Sequence, residues 1–477
     1  MIKRIIYQCL GVAGIAFSFS ACTPAIVQKT ANKAVPVSYD DSQDTVNVAK
    51  VRWKDFFTDP YLNALIDTAL ENNQELNITL QEIEISRNEI RARKGEYLPF
   101  VHLQGGAGVE KVGRYTHQGA TDATTEFEPG KEMPEPLQDY LLGAFASWEV
   151  DIWHKLRNAK KSAMIRYLST AEGKNFLVTN LVAEIANSYF ELMALDNQLE
   201  ILKSNIRIQE NALEIVKQLK SAARVTELAV RKFEAEVFKN RSRQYFIQQN
   251  IIETENRINF LVGRYPQLIR RNSQNFTDLI PATIYAGLPS QLLQNRPDIK
   301  QAELELAAAR LDIQVAKADF YPSLGITAGA GYRAFNPKYL LKMPESMLYT
   351  LAGDLVAPLV NKNAIKANYY SANARQIQAI YNYERTLLRA YMEVANQLSN
   401  ITNLEHSYDL EAKQVQALSQ SITISNGLFK SARADYMEVL MTQRDALESK
   451  FELIETKKQQ MNAMVNIYQA LGGGWNP

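Results

Sequence analysis

The chain has 477 residues, with 53 basic and 52 acidic side chains and a net charge of +1. So even a balance excludes a general nucleic-acid surface, which needs basic residues in excess on one face. Mean hydropathy is -0.26, and after residue 22 no run of about 18 apolar residues occurs, so a bundle of membrane-spanning helices is excluded and any crossing must be made of strands.

Residues 1–21 read as an export signal, with Lys3 and Arg4, an apolar core from Ile5 to Phe19, then Ser20-Ala21. Cys22 follows a small residue in the manner of a bacterial lipobox, whose thiol is acylated and becomes the new N-terminus; Phe19 stands where leucine is usual. An ordinary cleavable signal with an incidental cysteine is the alternative. Cys9 leaves with the signal, so the mature chain holds one thiol and no disulfide. Residues 23–52 are polar, contain Pro24 and Pro36 and lack periodicity, which predicts an extended tether; Trp53 to Pro60 then introduces a helix, and 22–60 as a whole is the lipidated N-terminal tether region.

A first structural repeat, residues 61–263, opens with Leu62, Leu65, Ile66, Ala69 and Leu70 at helical spacing. The helix breaks near Asn72-Asn73 and resumes to about Tyr97. Pro99 then suits a helix-to-strand corner, because proline lacks an N–H and restricts the residue before it. A strand over 100–112 puts Val101, Leu103, Ala107 and Val109 on one face. Residues 113–139 are polar and rich in Gly and Pro, which predicts a long exposed loop. A second strand, 140–153, sets Leu142, Ala144, Ala146, Trp148 and Val150 against Ser147, Glu149 and Asp151. An acidic face opposite an apolar one fits a water-filled lumen on one side and lipid on the other, with Glu149 and Asp151 lining the channel. From about Leu156 to Leu219 no proline occurs, and Leu192, Leu195, Leu199, Leu202 and Ile206 alternate three and four apart. That very long helix turns at Ser221–Thr226 and returns as Glu227 to Leu261. An irregular connector covers 264–294.

The plan then repeats over 295–471. Glu96-Tyr97-Leu98-Pro99 returns as Asp319-Phe320-Tyr321-Pro322, making Pro322 the second corner. A helix over 297–320 leads into a strand over 323–333 with Leu324, Ile326, Ala328, Ala330 and Tyr332 on one face. A strand over 347–360 opposes Tyr349, Leu351, Leu355 and Leu359 to Thr350 and Asp354, and Asp354 joins the candidate channel lining. A helix from about Ala364 to Leu428 carries Leu387, Tyr391, Val394, Leu398 and Ile401, turns near Ala432–Asp435 and returns to Leu471; residues 472–477 are a tail. Aromatic residues near strand ends, among them Tyr140, Trp148, Trp153 and Tyr349, fit an interfacial girdle.

The fold class is therefore α+β and internally duplicated. Four strands per chain are too few to close a barrel, and an open edge in hydrocarbon leaves backbone groups unpaired at several kcal/mol each. The smallest membrane barrels have about eight strands, so two or three copies must share one wall.

Several fragments carry a resemblance. Trp53 to Pro60, Leu288-Pro289-Ser290-Gln291-Leu292-Leu293-Gln294-Asn295-Arg296-Pro297-Asp298-Ile299, Ala434-Asp435-Tyr436-Met437-Glu438-Val439-Leu440 and Ala470-Leu471-Gly472-Gly473-Gly474-Trp475 resemble, in order, signature stretches of the TolC-like outer membrane factor family, lipoprotein branch. The resemblance implies a homotrimer: a transmembrane β-barrel, four strands from each chain, continuous with a long periplasmic α-helical barrel and belted by the 264–294 connector. It also implies the bacterial outer membrane as location and the exit duct of a tripartite efflux pump as function. The implied partners are a periplasmic membrane fusion (adaptor) protein, an inner-membrane RND-type transporter and outer membrane lipid. Val360-Asn361-Lys362-Asn363 departs from the glycine-rich turn of many relatives after the fourth strand.

The resemblance places the periplasmic mouth at the hairpin tips, with Asp435 and Glu438 at the acidic positions and Met441 where some relatives have a further acid. Threefold repetition would focus negative potential there and favour cations. Asp435 as a helix cap and Glu438 as a solvated first-turn charge are the plainer readings. Arg224, Thr226 and Glu227 of the first tip are placed to bond across the seam. His102, His117, His154 and His406 are isolated, so the expectation is no metal, no cofactor and no enzyme. The duct of a type I protein secretion system and a lipid-anchored coiled-coil scaffold without a pore are the competing readings.

Overall fold

The computed structural model describes residues 23–39, 45–281, 285–358, 360–431 and 433–475. The signal segment, Cys22 and Leu359, on which sequence expectations rest, lie outside them. The main elements are α1 (Pro60–Asn72), α2 (Gln74–Tyr97), β1 (Phe100–Glu110), α3 (His117–Asp122), β2 (Glu126–Glu128), β3 (Lys131–Glu132), β4 (Leu137–Val150), α4 (Lys155–Ser221) and α5 (Glu227–Leu261). After the connector come α6 (Pro297–Ala318), β5 (Ser323–Ala334), β6 (Met347–Val356), α7 (Asn363–Lys430) and α8 (Tyr436–Ala470). The duplication is close in length, since α4 and α5 have 67 and 35 residues and α7 and α8 have 68 and 35. At 1.5 Å per residue α4 is about 100 Å long.

Two compact units share these elements. One contains Glu84–Leu168 and Leu304–Tyr381 with the described residues up to Thr30; the other contains Ala31–Ile83, Ser169–Glu303 and Asn382–Pro477. Each unit draws on both sequence repeats, and α2, α4, α6 and α7 contribute residues to both units.

The first unit holds an antiparallel sheet of order β1-β4-β5-β6. Side chains alternate along a strand and directly paired residues share a face, so the register decides whether the four apolar faces coincide. They do. Val101 pairs with Ala146, Leu103 with Ala144, Ala146 with Ala328, Trp148 with Ile326, Ala328 with Leu351 and Leu324 with Leu355. A broad apolar surface results, with Gln138 opposite Val109 as its polar exception near one end, and it is exposed at Leu103 (84%) and Leu351 (78%). Both strand entries follow a proline, Pro99 before β1 and Pro322 before β5. Indole N–H groups fasten both corners: Trp148 Nε1 donates to the Tyr97 carbonyl at 3.1 Å and Trp153 Nε1 to the Pro322 carbonyl at 2.7 Å.

The second unit is a helical core. The α4 stripe buries Leu192, Leu202 and Ile206, and the α7 stripe buries Leu387 and Val394. Asp59 caps α1 through Tyr61 N (2.8 Å) and Leu62 N (3.3 Å) and accepts the Tyr189 hydroxyl at 2.8 Å. Phe56 stacks on Tyr468, ring centroids 4.1 Å apart, and the Tyr468 hydroxyl donates to Val51 O at 2.6 Å. Gly263 has φ +77°, and a Cβ there would meet Asn72 O at 2.3 Å.

Two expectations need correction. Within 22–60, Tyr39, Trp53 and Phe57 are buried, with Tyr39 stacked on Tyr391 at 5.4 Å; the apolar side chains between the polar ones drive that stretch into the helical core rather than leaving it a free tether. The 113–139 loop contains α3, whose N-cap Thr116 accepts from Gly119 N, and the β2-β3 ribbon. Phe127 of that ribbon packs on Phe335 at 4.9 Å, which gives a polar segment one apolar anchor.

Candidate functional site

The polar face of the sheet is built by the same register. Glu149 pairs with Gly325, and Gly325 with Asp354, so both expected lining carboxylates lie in one cross-strand row on the face opposite the apolar surface. Both are exposed. They border a cavity of about 600 Å³ together with Glu96, Leu98, Phe100 and Val356. Two further charges share that face, where Arg333 donates to both oxygens of Asp139 at 2.8 Å.

Asp151 does not join them. Strand β4 ends at Val150, and the Asp151 side chain is 1% exposed. Its oxygens accept from Leu156 N and Arg157 N, each at 3.0 Å, in the first turn of α4. Those amides have no partner within the helix. The carboxylate expected to line a channel is a helix cap.

At the first hairpin tip, Ala223 has φ 54° and Arg224 N donates to Leu219 O at 2.9 Å, closing the end of α4. Glu227 accepts from Lys220, whose hydrogen bond is the main cause holding the carboxyl below its ordinary value, and from Arg231 at 2.9 Å. Both of these partners lie within its own hairpin. Thr226 stands at the N-cap of α5 without a side-chain cap bond. Asp435 likewise occupies the N-cap position of α8 with extended backbone, yet its side chain makes no cap hydrogen bond. Arg224 and Asp435 instead border one cavity of about 370 Å³, with Val216, Phe233, Lys430 and Tyr436. Glu438 is exposed in the first turn of α8 and does not border that cavity. The fold thus brings Arg224 and Asp435 together and leaves Thr226, Glu227 and Glu438 outside the pocket. Lys430 and Tyr436 were not singled out from sequence; nothing in a helix end or a first turn marks them.

Among the described residues no cluster of three or more His, Cys, Asp or Glu could hold a metal ion. No described helix is long and apolar enough to cross a membrane.

The model of the outer membrane efflux protein family matches residues 65–264 and 288–473. The chain is 27% identical over 424 residues to the pyoverdine export outer membrane protein OpmQ of Pseudomonas aeruginosa, covering 89% of this chain and 87% of OpmQ. It is 26% identical over 466 residues to the cation efflux system protein CusC of Escherichia coli, covering 97% of each. Its fold matches the open state of the MtrE outer membrane channel of Neisseria gonorrhoeae with a TM-score of 0.81 at 22% identity, covering 95% of this chain and 99% of that one. The duplicated helices and the four-stranded sheet thus follow the fold of an outer membrane channel. With the family model spanning most of its length, the chain belongs to the outer membrane efflux protein family and is an outer-membrane channel component of a tripartite efflux pump.

Proposed function

We propose that the chain is a passive conduit for small molecules, in which the polar sheet face lines the upper duct and the hairpin tips form the periplasmic mouth. The observation that carries this reading is the register, which makes one face of the sheet apolar apart from Gln138 near its end and gathers Glu149 and Asp354 on the other. A lipid-facing and a water-facing side are what a barrel wall needs.

At the mouth, Asp435 keeps its carboxylate free of capping duty and shares a cavity with Arg224. Three copies around an axis would place three Asp435 and three Glu438 carboxylates near one another and favour cations over anions. The partners that complete the pump on this reading are a periplasmic adaptor and an RND-type inner-membrane transporter, which supplies the energy. Acylation at Cys22 would add a lipid anchor to the barrel. Cargo choice rests mainly with the transporter: OpmQ and CusC, both similar to this chain, are named for pyoverdine export and cation efflux respectively.

Purified protein reconstituted in planar bilayers tests this reading. The expected result is a steady conductance with preference for cations, reduced when Asp435→Asn and Glu438→Gln are combined. Absence of conductance in wild type and variant alike refutes the conduit and favours a scaffold without a pore.

A further inference from the structure

The polar face carries a feature that a water-filled duct does not require. His102 pairs directly with Phe145, Phe145 with Gly329 and Gly329 with Thr350, forming one row across the four strands. Phe100 lies one step along β1 on the same face. The three rings run together: Phe100 to His102 at 5.7 Å and 24°, His102 to Phe145 at 6.0 Å and 30°. The Phe145 ring extends over Gly329, where a Cβ would lie 2.6 Å from Phe145 Cδ1 and 2.8 Å from Cε1. Any larger residue at that place in β5 would collide with the ring. Glycine here makes room for an aromatic surface on the water-facing side.

The carboxylate row lies close by. Phe100 pairs with Ser147, two residues from Glu149, a separation of about 7 Å along the strand. Phe100, Glu149 and Asp354 border the same cavity of about 600 Å³. Among the described residues neither carboxylate makes a hydrogen bond or ion pair. Aromatic faces attract cations through their quadrupole and stack on planar groups, and carboxylates add charge attraction.

We infer that Phe100, His102 and Phe145, with Glu149 and Asp354 beside them, form a cargo-binding step in the duct that takes planar aromatic cations. This rests on the polar face lining the conduit, and it assigns to that lining a preference which the charges alone do not supply. Each protomer contributes one step, so a molecule moving along the wall is held by rings and carboxylates of a single chain.

The test uses the full-length protein in planar bilayers, with conductance established first and current block then titrated with ethidium, a planar aromatic cation, and with tetraethylammonium, an aliphatic one. Phe145→Leu keeps an apolar side chain of similar reach and removes the ring; unblocked conductance of this variant confirms assembly. The expected result is a half-blocking concentration for ethidium raised about 2- to 5-fold by Phe145→Leu and likewise by His102→Gln, with tetraethylammonium unaffected. Glu149→Gln combined with Asp354→Asn weakens block by both probes. An unchanged ethidium titration in Phe145→Leu, or equal weakening for both probes, overturns the aromatic step while leaving the conduit standing. A wild-type protein that does not conduct overturns the conduit and this inference with it.

Discussion

Replacing Asp151 separates a structural carboxylate from those proposed to face the duct. The side chain is 1% exposed, and its two oxygens take Leu156 N and Arg157 N at 3.0 Å each, with Arg157 Nε at 3.3 Å. Loss of an N-cap costs about 1 kcal/mol, and a buried amide left without a partner adds roughly 1–3 kcal/mol. Asp151→Ala therefore destabilises the protein by about 2–4 kcal/mol on these terms. Asp151→Asn recovers about half, because the amide oxygen still accepts one N–H while the NH₂ group confronts the other. Thermal unfolding in detergent, followed by the helical circular dichroism signal, should rank wild type above Asn above Ala, with the alanine midpoint lower by several degrees. Once assembled, Asp151→Asn should conduct with wild-type cation preference, whereas Glu149→Gln reduces it. An alanine variant as stable as wild type, with cation preference reduced as in Glu149→Gln, would refute the capping assignment.

Gly263→Ala combines a left-handed conformation at φ +77° with a Cβ only 2.3 Å from Asn72 O, and should cost more than about 1 kcal/mol, read as a lowered unfolding midpoint; an unchanged midpoint contradicts that packing. The Glu227 carboxyl is held below its ordinary 4.5 first by the Lys220 hydrogen bond. A depressed folded value means the contribution is complete at neutral pH and is lost as pH falls below 4.5 through the folded value. Hydrogen exchange of tip amides 221–226, corrected for intrinsic rate, should lose protection over that acid range in wild type and show no such change in Glu227→Gln. Cys22→Ser should abolish palmitate incorporation in cells, and undiminished labelling refutes acylation at that thiol.

How far the sequence carried the fold depends on which signal governed each residue. The strand faces were legible because a period of two is strict: once Val101, Ala146, Ala328 and Leu351 are assigned to one face, register need only align them. The long helices α4 and α7 were legible from sustained three-four spacing, and α5 begins at Glu227 and ends at Leu261, between the Ser221–Thr226 turn and Gly263. Asp151 was misread because alternation was extended past Val150, where the strand stops and the polar side chain begins to serve the next helix. The 23–52 stretch was misread because composition averages over Tyr39, Val48 and Ala49, and those few buried side chains decide its packing.

The candidate sites were partly legible. Glu149 and Asp354 announced themselves as acids on strands, but their shared row needed the pairing through Gly325. Arg224 and Asp435 were each visible as tip residues, while their common cavity depends on two hairpins distant in sequence lying side by side. His102 looked isolated along the chain. Its neighbour Phe145 lies across a strand pair, so no spacing rule connects them.

The central claim is that the sheet divides lipid from water, and adjacent residues of β5 on opposite faces test it most directly. Thr327 and Ala328 pair with Ser147 and Ala146 on the polar and apolar sides respectively. In planar bilayers, a charged, membrane-impermeant thiol reagent should lower the current through Thr327→Cys and leave Ala328→Cys unchanged. The reverse pattern, or no response at Thr327→Cys, would contradict the assignment of the polar face to the lumen.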